Sequence, residues 1–175
     1  MEHHTTANPK PVFIVGFMGS GKTTWGRKLA DKTGRTFIDL DEVIVQEIGM
    51  PIAAYFTEYG EHAFRELESR TLKNIAPDLP AVVSTGGGTP CYFDNMAWMN
   101  RHGITIYFQL PPKALWSRLM QTDIGTRPAL NGLSGPELLD YITAKLAERA
   151  PYYEQASYTV NQLAVRPEEL IALIK

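Results

Sequence analysis

The nine residues from Gly16 to Thr24, reading Gly-Phe-Met-Gly-Ser-Gly-Lys-Thr-Thr, carry the plainest chemistry in the chain. Gly16, Gly21, Lys22 and Thr23 fit the spacing G-x-x-x-x-G-K-[ST]. Glycines at these intervals let successive backbone N–H groups converge on a phosphate chain, and the N-terminus of a following helix adds partial positive charge. Lys22 supplies a full charge for the β- and γ-phosphates. The Thr23 hydroxyl is a hard oxygen ligand suited to Mg²⁺. Gly19, Ser20, Gly21, Lys22, Thr23 and Thr24 are therefore the candidate nucleotide contacts. The flanks agree with this reading. Val12 to Val15 is the apolar run of a buried strand, and Trp25 to Lys32 holds helix formers with no breaker beyond Gly26. A P-loop of this kind binds a nucleoside triphosphate with Mg²⁺, and it leaves the acceptor open.

Other residues narrow the acceptor. Asp39 and Asp41 flank Leu40 just after a short apolar run. Two carboxylates there are costly unless partnered. Beside a phosphate donor, one can hold a metal ion and the other can accept a hydroxyl's hydrogen bond and its proton. Asp41 is equally placed to cap a following helix. Gly86-Gly87-Gly88 follows a strand and offers bare backbone for close approach of a ligand. Three arginines stand out. Arg127 lies in the polar stretch Thr122 to Ser134, the best lid candidate, from which a cation can reach a transferring phosphate. Arg65 has Glu61 and Glu68 at helical spacing. They make either a plain ion pair or an arrangement in which Glu68 orients Arg65 to grip a carboxylate. Arg149 sits near the end of a helical stretch. Phe56 and Phe64, one on each side of Gly60, pack in the interior or wall a small ring.

These residues need elements to position them. Apolar runs at Thr36–Ile38, Ala81–Thr85, Ile104–Gln109 and Tyr158–Val160 alternate with helical stretches. The pattern predicts helices over Glu42–Ile48, Pro51–Tyr59, Glu61–Ala76 (with Phe64, Leu67, Leu72 and Ile75 as core), Asn95–Arg101 capped by Asp94, a stretch with Leu115, Trp116 and Leu119, Gly135 to about Arg149, and Pro167–Ile174. Alternating strands and helices imply an α/β fold, with a parallel sheet covered on both faces and ligands at the carboxyl ends of the strands. Gly16–Thr24, Asp39–Asp41 and Gly86–Gly88 each follow a strand, so the three loops share one rim.

A chain of 175 residues, 44% hydrophobic and 21% charged, is that of a single domain able to bury a core. Its net charge of −2 gives no electrostatic case for nucleic acid or an anionic membrane. No stretch reaches the ~20 apolar residues needed to span a bilayer. The polar start, residues 1–11 including His3-His4, reads as a frayed terminus without a signal peptide. The single Cys91 excludes an intrachain disulfide and fits a reducing, cytoplasmic setting as a small apolar residue.

Taken together, the chain closely resembles the shikimate kinase family. The matching stretches are GFMGSGKTT, the FIDLD ending at Asp41, the GEHAFRELE around Arg65, the VVSTGGG ending at Gly88, the TRP around Arg127 and the ERAPYYEQA around Arg149. They occur in family order from Phe13 to Ala156. The resemblance implies a three-layer α/β/α sandwich of the nucleoside-monophosphate-kinase type with a five-stranded parallel sheet, in one domain, with residues 42–76 as substrate-binding helices and 122–134 as a lid. It implies transfer of the γ-phosphate of ATP to the 3-hydroxyl of shikimate in aromatic amino-acid synthesis, by an enzyme expected to be a monomer. Thr23 and Asp39 then correspond to the Mg²⁺ site. Asp41 holds the attacking hydroxyl, Lys22 and Arg127 meet the transferring phosphate, and Arg65 and Arg149 clamp the shikimate carboxylate. Gly86, Gly87 and Gly88 form the backbone face of that pocket, with Phe56 and Phe64 as its walls. Arg118 corresponds to an arginine against adenine, with the adenine loop near Asn161–Pro167. Gluconate-kinase-like and adenylate-kinase-like enzymes share the P-loop but not the TGGG and F-R-x-x-E features. The Asn-Lys-x-Asp guanine reader of GTPase-type switches does not occur.

Overall fold

The protein is described here by a computed structural model covering residues 9–122, 130 and 132–175. Among these, five strands form one parallel sheet: β1 (Val12–Val15), β2 (Thr36–Asp39), β3 (Ala81–Ser84), β4 (Ile104–Gln109) and β5 (Tyr158–Asn161), in the order β2-β3-β1-β4-β5. The helices are α1 (Lys22–Thr33), α2 (Leu40–Ile48), α3 (Ile52–Lys73), α4 (Asn95–His102), α5 (Pro112–Met120), α6 (Gly135–Tyr153) and α7 (Pro167–Leu173).

The alternation of side chains along the central strand divides the core in two. All four residues of β1 are buried. Val12 and Ile14 point to one face and pack with Leu29 and Ala30 of α1, Leu170 of α7 and Ile174. Phe13 and Val15 point to the other, against Ile44 of α2, Leu72 of α3, Met99 of α4, Leu115 of α5 and Ile142 of α6. A helical layer on each face of a parallel sheet is the expected three-layer α/β/α arrangement.

Sheet order and register bring the three loops together. β1 lies between β3 and β4, and β2 lies outside β3. The register sets Asp39 beside Ser84, so the ends of β2 and β3 are level. Thr85 ties the end of β3 to β1, with its backbone N–H and its hydroxyl both donating to the Ile14 carbonyl.

Several boundaries differ from expectation for identifiable reasons. The helix after the P-loop starts at Lys22, directly on Gly21, whose φ of 85° is available to glycine at little cost. Asp39, not Asp41, is the N-cap of α2; its Oδ1 accepts from the N–H groups of Asp41 (3.0 Å) and Glu42 (3.3 Å). The two helices expected around Gly60 form one element kinked there, at φ 85° and ψ 170°. Asp94 occupies the N-cap position of α4 without a side-chain cap bond, because its carboxylate pairs with Lys73. α6 continues past Arg149 through Pro151 to Tyr153, so the helix carries a proline inside its last turn. Within the expected frayed stretch 1–11, Pro11 is buried and its carbonyl accepts from Ile104 N–H at 2.9 Å. Among the described residues, no helix is long and apolar enough to cross a membrane.

Candidate active site

The end of β1, the start of α1 and the ends of β2 and β3 surround a polar cavity of about 260 Å³. Its lining includes Gly19, Gly21, Lys22, Thr23, Thr24, Asp39, Asp41 and Ser84. The Lys22 ammonium is held by the carbonyl oxygens of Gly16 (2.8 Å) and Phe17 (2.9 Å). Ser20 is fully buried behind the loop, its hydroxyl without a protein partner, and does not line the cavity. Thr23 Oγ1 donates to Asp39 Oδ2 at 3.1 Å and lies 3.3 Å from Ser84 Oγ. Asp39 thus uses one oxygen to cap α2 and the other to meet Thr23.

This donor set suits Mg²⁺. A hydroxyl and a carboxylate are hard oxygen ligands, and among the described residues no cluster of three His, Cys, Asp or Glu could hold a metal by itself. Mg²⁺ ordinarily binds through one or two carboxylates, with phosphates and water completing its shell.

A second, larger cavity of about 460 Å³ opens beside the first. Asp41, Met18, Gly86 and Gly87 line both. Arg65, Glu68 and Gly88 face it, as do Arg149 of α6, Ile52, Phe56 and Phe64. Arg65 and Arg149 are each only 8% exposed, and Glu68 is 1% exposed. Arg65 donates to Glu68 at 2.9 Å and approaches Glu61 at 3.5 Å, so the orienting role read for Glu68 is geometrically met. Burial pulls the Arg65 pKa down most strongly, but Glu68, by charge and hydrogen bond, with Tyr92 and Glu61, more than offsets it. The guanidinium lies 4.2 Å from the Tyr92 ring centre. Two buried donors, Arg65 Nε and Arg149 Nη1, have no protein partner. Orphaned donors on two buried cations are the signature of a site that an anion completes.

The walls are set by backbone. A Cβ on Gly88 would fall 2.6 Å from an Arg65 nitrogen, so only glycine admits the guanidinium there. Tyr153 donates to the Gly87 carbonyl and ties the end of α6 to the glycine turn. Residues eight apart in a straight helix are ~12 Å apart along its axis. Phe56 and Phe64 nevertheless have ring centres 4.6 Å apart, because the chain breaks at Gly60 between them.

Arg118 lies on the far side of the P-loop. It donates to Gln162 at 2.8 Å and reaches the Gly19 carbonyl at 3.5 Å, which sets it beside the start of the expected adenine loop. The structure therefore gathers every described site residue read from the sequence around one rim, apart from Ser20 behind the loop. Arg127 and most of the expected lid lie outside the described residues. Sequence reasoning missed Ser84, Met18, Tyr92, Thr89 and Tyr153; Gln162 falls inside the expected adenine loop, but its bond to Arg118 was not foreseen. Ser84 and Thr89 lie beside the glycine motif, a signal that was available.

A phosphate cradle sharing a carboxylate with a cation-lined acceptor cavity defines an ATP-dependent kinase of a small molecule. Residues 18–174 match the family model described as shikimate kinase, and the chain belongs to that family. It is 46% identical over 147 residues to a shikimate kinase of Bacteroides fragilis, covering 84% of this chain and 82% of that one. A crystal structure of shikimate kinase from Bacteroides thetaiotaomicron superposes with a TM-score of 0.84 at 42% identity, covering 93% and 94% of the two chains. A shikimate kinase from Acinetobacter baumannii in complex with shikimate also gives 0.84, at 30% identity over 95% and 90%.

Cys91 sits just beyond the glycine turn, half-buried, and burial pushes its thiol up to about 11 from an ordinary 9.0. A raised pKa means the thiolate is scarce in the folded state, about one in a hundred at pH 9. Alkylation of the native protein should accelerate about tenfold per pH unit between pH 7 and 9.5 without levelling. The urea-unfolded protein should level off near pH 9. A native rate that saturates by pH 9 would show an ordinary, solvated thiol.

Proposed function

We propose that the protein transfers the γ-phosphoryl group of ATP to the 3-hydroxyl of shikimate, giving shikimate 3-phosphate and ADP. One observation carries this reading: two nearly buried guanidinium side chains, Arg65 and Arg149, line the same cavity that shares Asp41 with the P-loop site. A carboxylate gripped by Arg65 and Arg149 orients a ring between Phe56 and Phe64 over the floor of Gly86, Gly87 and Gly88. Asp41, at the junction of the cavities, accepts the hydrogen bond of the attacking hydroxyl and takes its proton. The backbone of Gly19, Ser20 and Gly21, with Lys22, Thr23 and Thr24, cradles the phosphates. Arg118 lies against the base. By the likeness of its Thr126-Arg127-Pro128 motif to the family's, Arg127 is assigned to the transferring phosphate with Lys22, and residues 122–134 to a lid; Arg127 lies outside the described residues.

Thr23 and Asp39 hold Mg²⁺, which when bound screens the charge on the phosphates and orients them. We read the chain as one P-loop kinase domain, with residues 42–76 supplying acceptor-binding helices. The single half-buried cysteine supports a cytoplasmic setting.

A coupled ADP-release assay with MgATP, comparing shikimate, gluconate and AMP, tests the acceptor: saturable turnover is expected with shikimate alone. Asp41→Asn should lower kcat by roughly two to four orders of magnitude and leave ATP binding intact. Turnover at the wild-type rate removes Asp41 from the mechanism. Arg149→Ala should weaken acceptor binding by about 2–5 kcal/mol, measured as Kd by titration calorimetry, because it takes away one of the two cations that pair a buried carboxylate. An unchanged Kd would make Arg149 a bystander.

A further inference from the structure

Behind the acceptor cavity lies a set of buried polar groups that no catalytic step uses. Thr89 and Asn95 are fully buried, Glu68 is 1% exposed and Ser69 is 7% exposed. Thr89 Oγ1 donates to Glu68 Oε2 at 2.8 Å, and Glu68 Oε1 accepts from Arg65 at 2.9 Å. Asn95 Nδ2 donates to the Thr89 carbonyl at 2.9 Å, while its Oδ1 accepts from Ser69 Oγ at 2.6 Å. The bonds make a ring. It leaves α3 at Ser69, crosses to α4 at Asn95, passes through the turn after the glycines at Thr89, and returns to α3 at Glu68, one residue from its start.

Each connection bears on the acceptor cavity. Thr89 N–H donates to the Gly86 carbonyl at 3.1 Å, so the turn is hooked to the cavity floor. A Cβ on Gly86 would fall 3.0 Å from both Thr89 Oγ1 and Glu68 Oε2, so the ring presses directly against that floor. Glu68 has two carboxylate oxygens, and the ring assigns them: one to Thr89, one to Arg65. Without the Thr89 hydroxyl, a buried carboxylate oxygen loses its donor and the carboxylate is free to rotate toward Arg65 with both oxygens. That would neutralise the cation more completely and turn it from its ligand.

We propose that Thr89 and Asn95 are positioning residues for the acceptor: they fix the Glu68 carboxylate so that Arg65 is presented to the substrate rather than consumed by its own ion pair. The proposal rests on the shikimate reading above. It separates the two substrates, because the ring acts through Arg65, which lines the acceptor cavity and not the nucleotide cavity, and none of its bonds goes to the P-loop residues 16–24.

Steady-state kinetics on Thr89→Val, Thr89→Ser, Asn95→Leu and Ser69→Ala, with melting temperatures, test it. Thr89→Val keeps the shape and removes the donor. Its shikimate KM should rise roughly 10- to 100-fold, as for a lost hydrogen bond to a charged group, while its ATP KM stays within about twofold. Thr89→Ser restores the hydroxyl and should return the shikimate KM to within about threefold of wild type. Ser69→Ala loosens Asn95 alone and should raise the same constant less than Thr89→Val does. Asn95→Leu should follow Thr89→Val; should it fail to fold, the Thr89 pair and Ser69→Ala decide. An unchanged shikimate KM in folded Thr89→Val overturns the proposal. So does a parallel rise in both KM values that serine does not rescue, because that is the mark of general loosening. A wild-type enzyme that ignores shikimate but phosphorylates another acceptor sinks the substrate assignment instead, and the same split measured with that acceptor then tests the ring.

Discussion

Buried positive charge is the constraint from which the rest of the site follows. Arg65, Arg149 and Lys22 are each 8% exposed, far less than long cationic side chains ordinarily are. Removing a cation from water costs several kcal/mol unless charge and hydrogen bonds are returned to it. For the two arginines the protein returns them only in part. Lys22 has the Gly16 and Phe17 carbonyls, and Arg65 has Glu68. Arg149 leans over the Phe17 ring at 5.7 Å and keeps an orphaned donor. The remaining shortfall is the site's affinity: an anionic ligand supplies what folding left unmet. This is why the cavity floor is glycine. Backbone without side chains lets the guanidinium groups come close, as the 2.6 Å clearance at Gly88 shows.

Holding those charges in place falls to the parallel sheet. Strands running the same way end on the same rim, so the P-loop, the Asp39–Asp41 turn and the glycine turn become neighbours although far apart in sequence. The level ends of β2 and β3 then set Asp39 against Ser84 and within reach of Thr23. Asp39 also caps α2. The cap orients the carboxylate. A carboxylate fixed at one oxygen by a helix keeps the direction of the other, which here meets Thr23.

Much of this was legible in the sequence. The P-loop, the two aspartates, the glycine triplet and the arginines were readable because each is a local string whose chemistry demands those residue types. The strand–helix alternation then placed them on one rim. What stayed hidden was long-range partnership. Asp94 looks like a helix cap, and only the packing of α4 beside α3 reveals that Lys73 claims its carboxylate. Thr89 and Asn95 look like ordinary turn residues, since their partners lie 21 and 26 positions away on α3. Gln162 meets Arg118 across 44 positions, and no spacing announces it.

The kink in α3 shows how one backbone choice shapes the acceptor cavity. Gly60 sits at φ 85° and ψ 170°, in a region essentially closed to side-chain-bearing residues. No other group crowds it, so the glycine is required by conformation and not by space. The break folds the first half of α3 back over the second, bringing Phe56 and Phe64 into contact as facing walls. It leaves Arg65 and Glu68 on the uninterrupted half, where i,i+3 spacing holds their ion pair. A straight helix would have kept the pair but spread the two rings along its axis, leaving a cation without a hydrophobic wall beside it. A ring-shaped acid needs both. The kink therefore joins an apolar surface to a charged one, and Asp41 sits where that combined surface meets the phosphate cradle. Phosphoryl transfer asks little covalent work of a protein and a great deal of placement. In this chain, placement comes from a glycine that bends a helix, glycines that let cations approach, and a strand register that sets the Asp39 carboxylate level with the Ser84 hydroxyl.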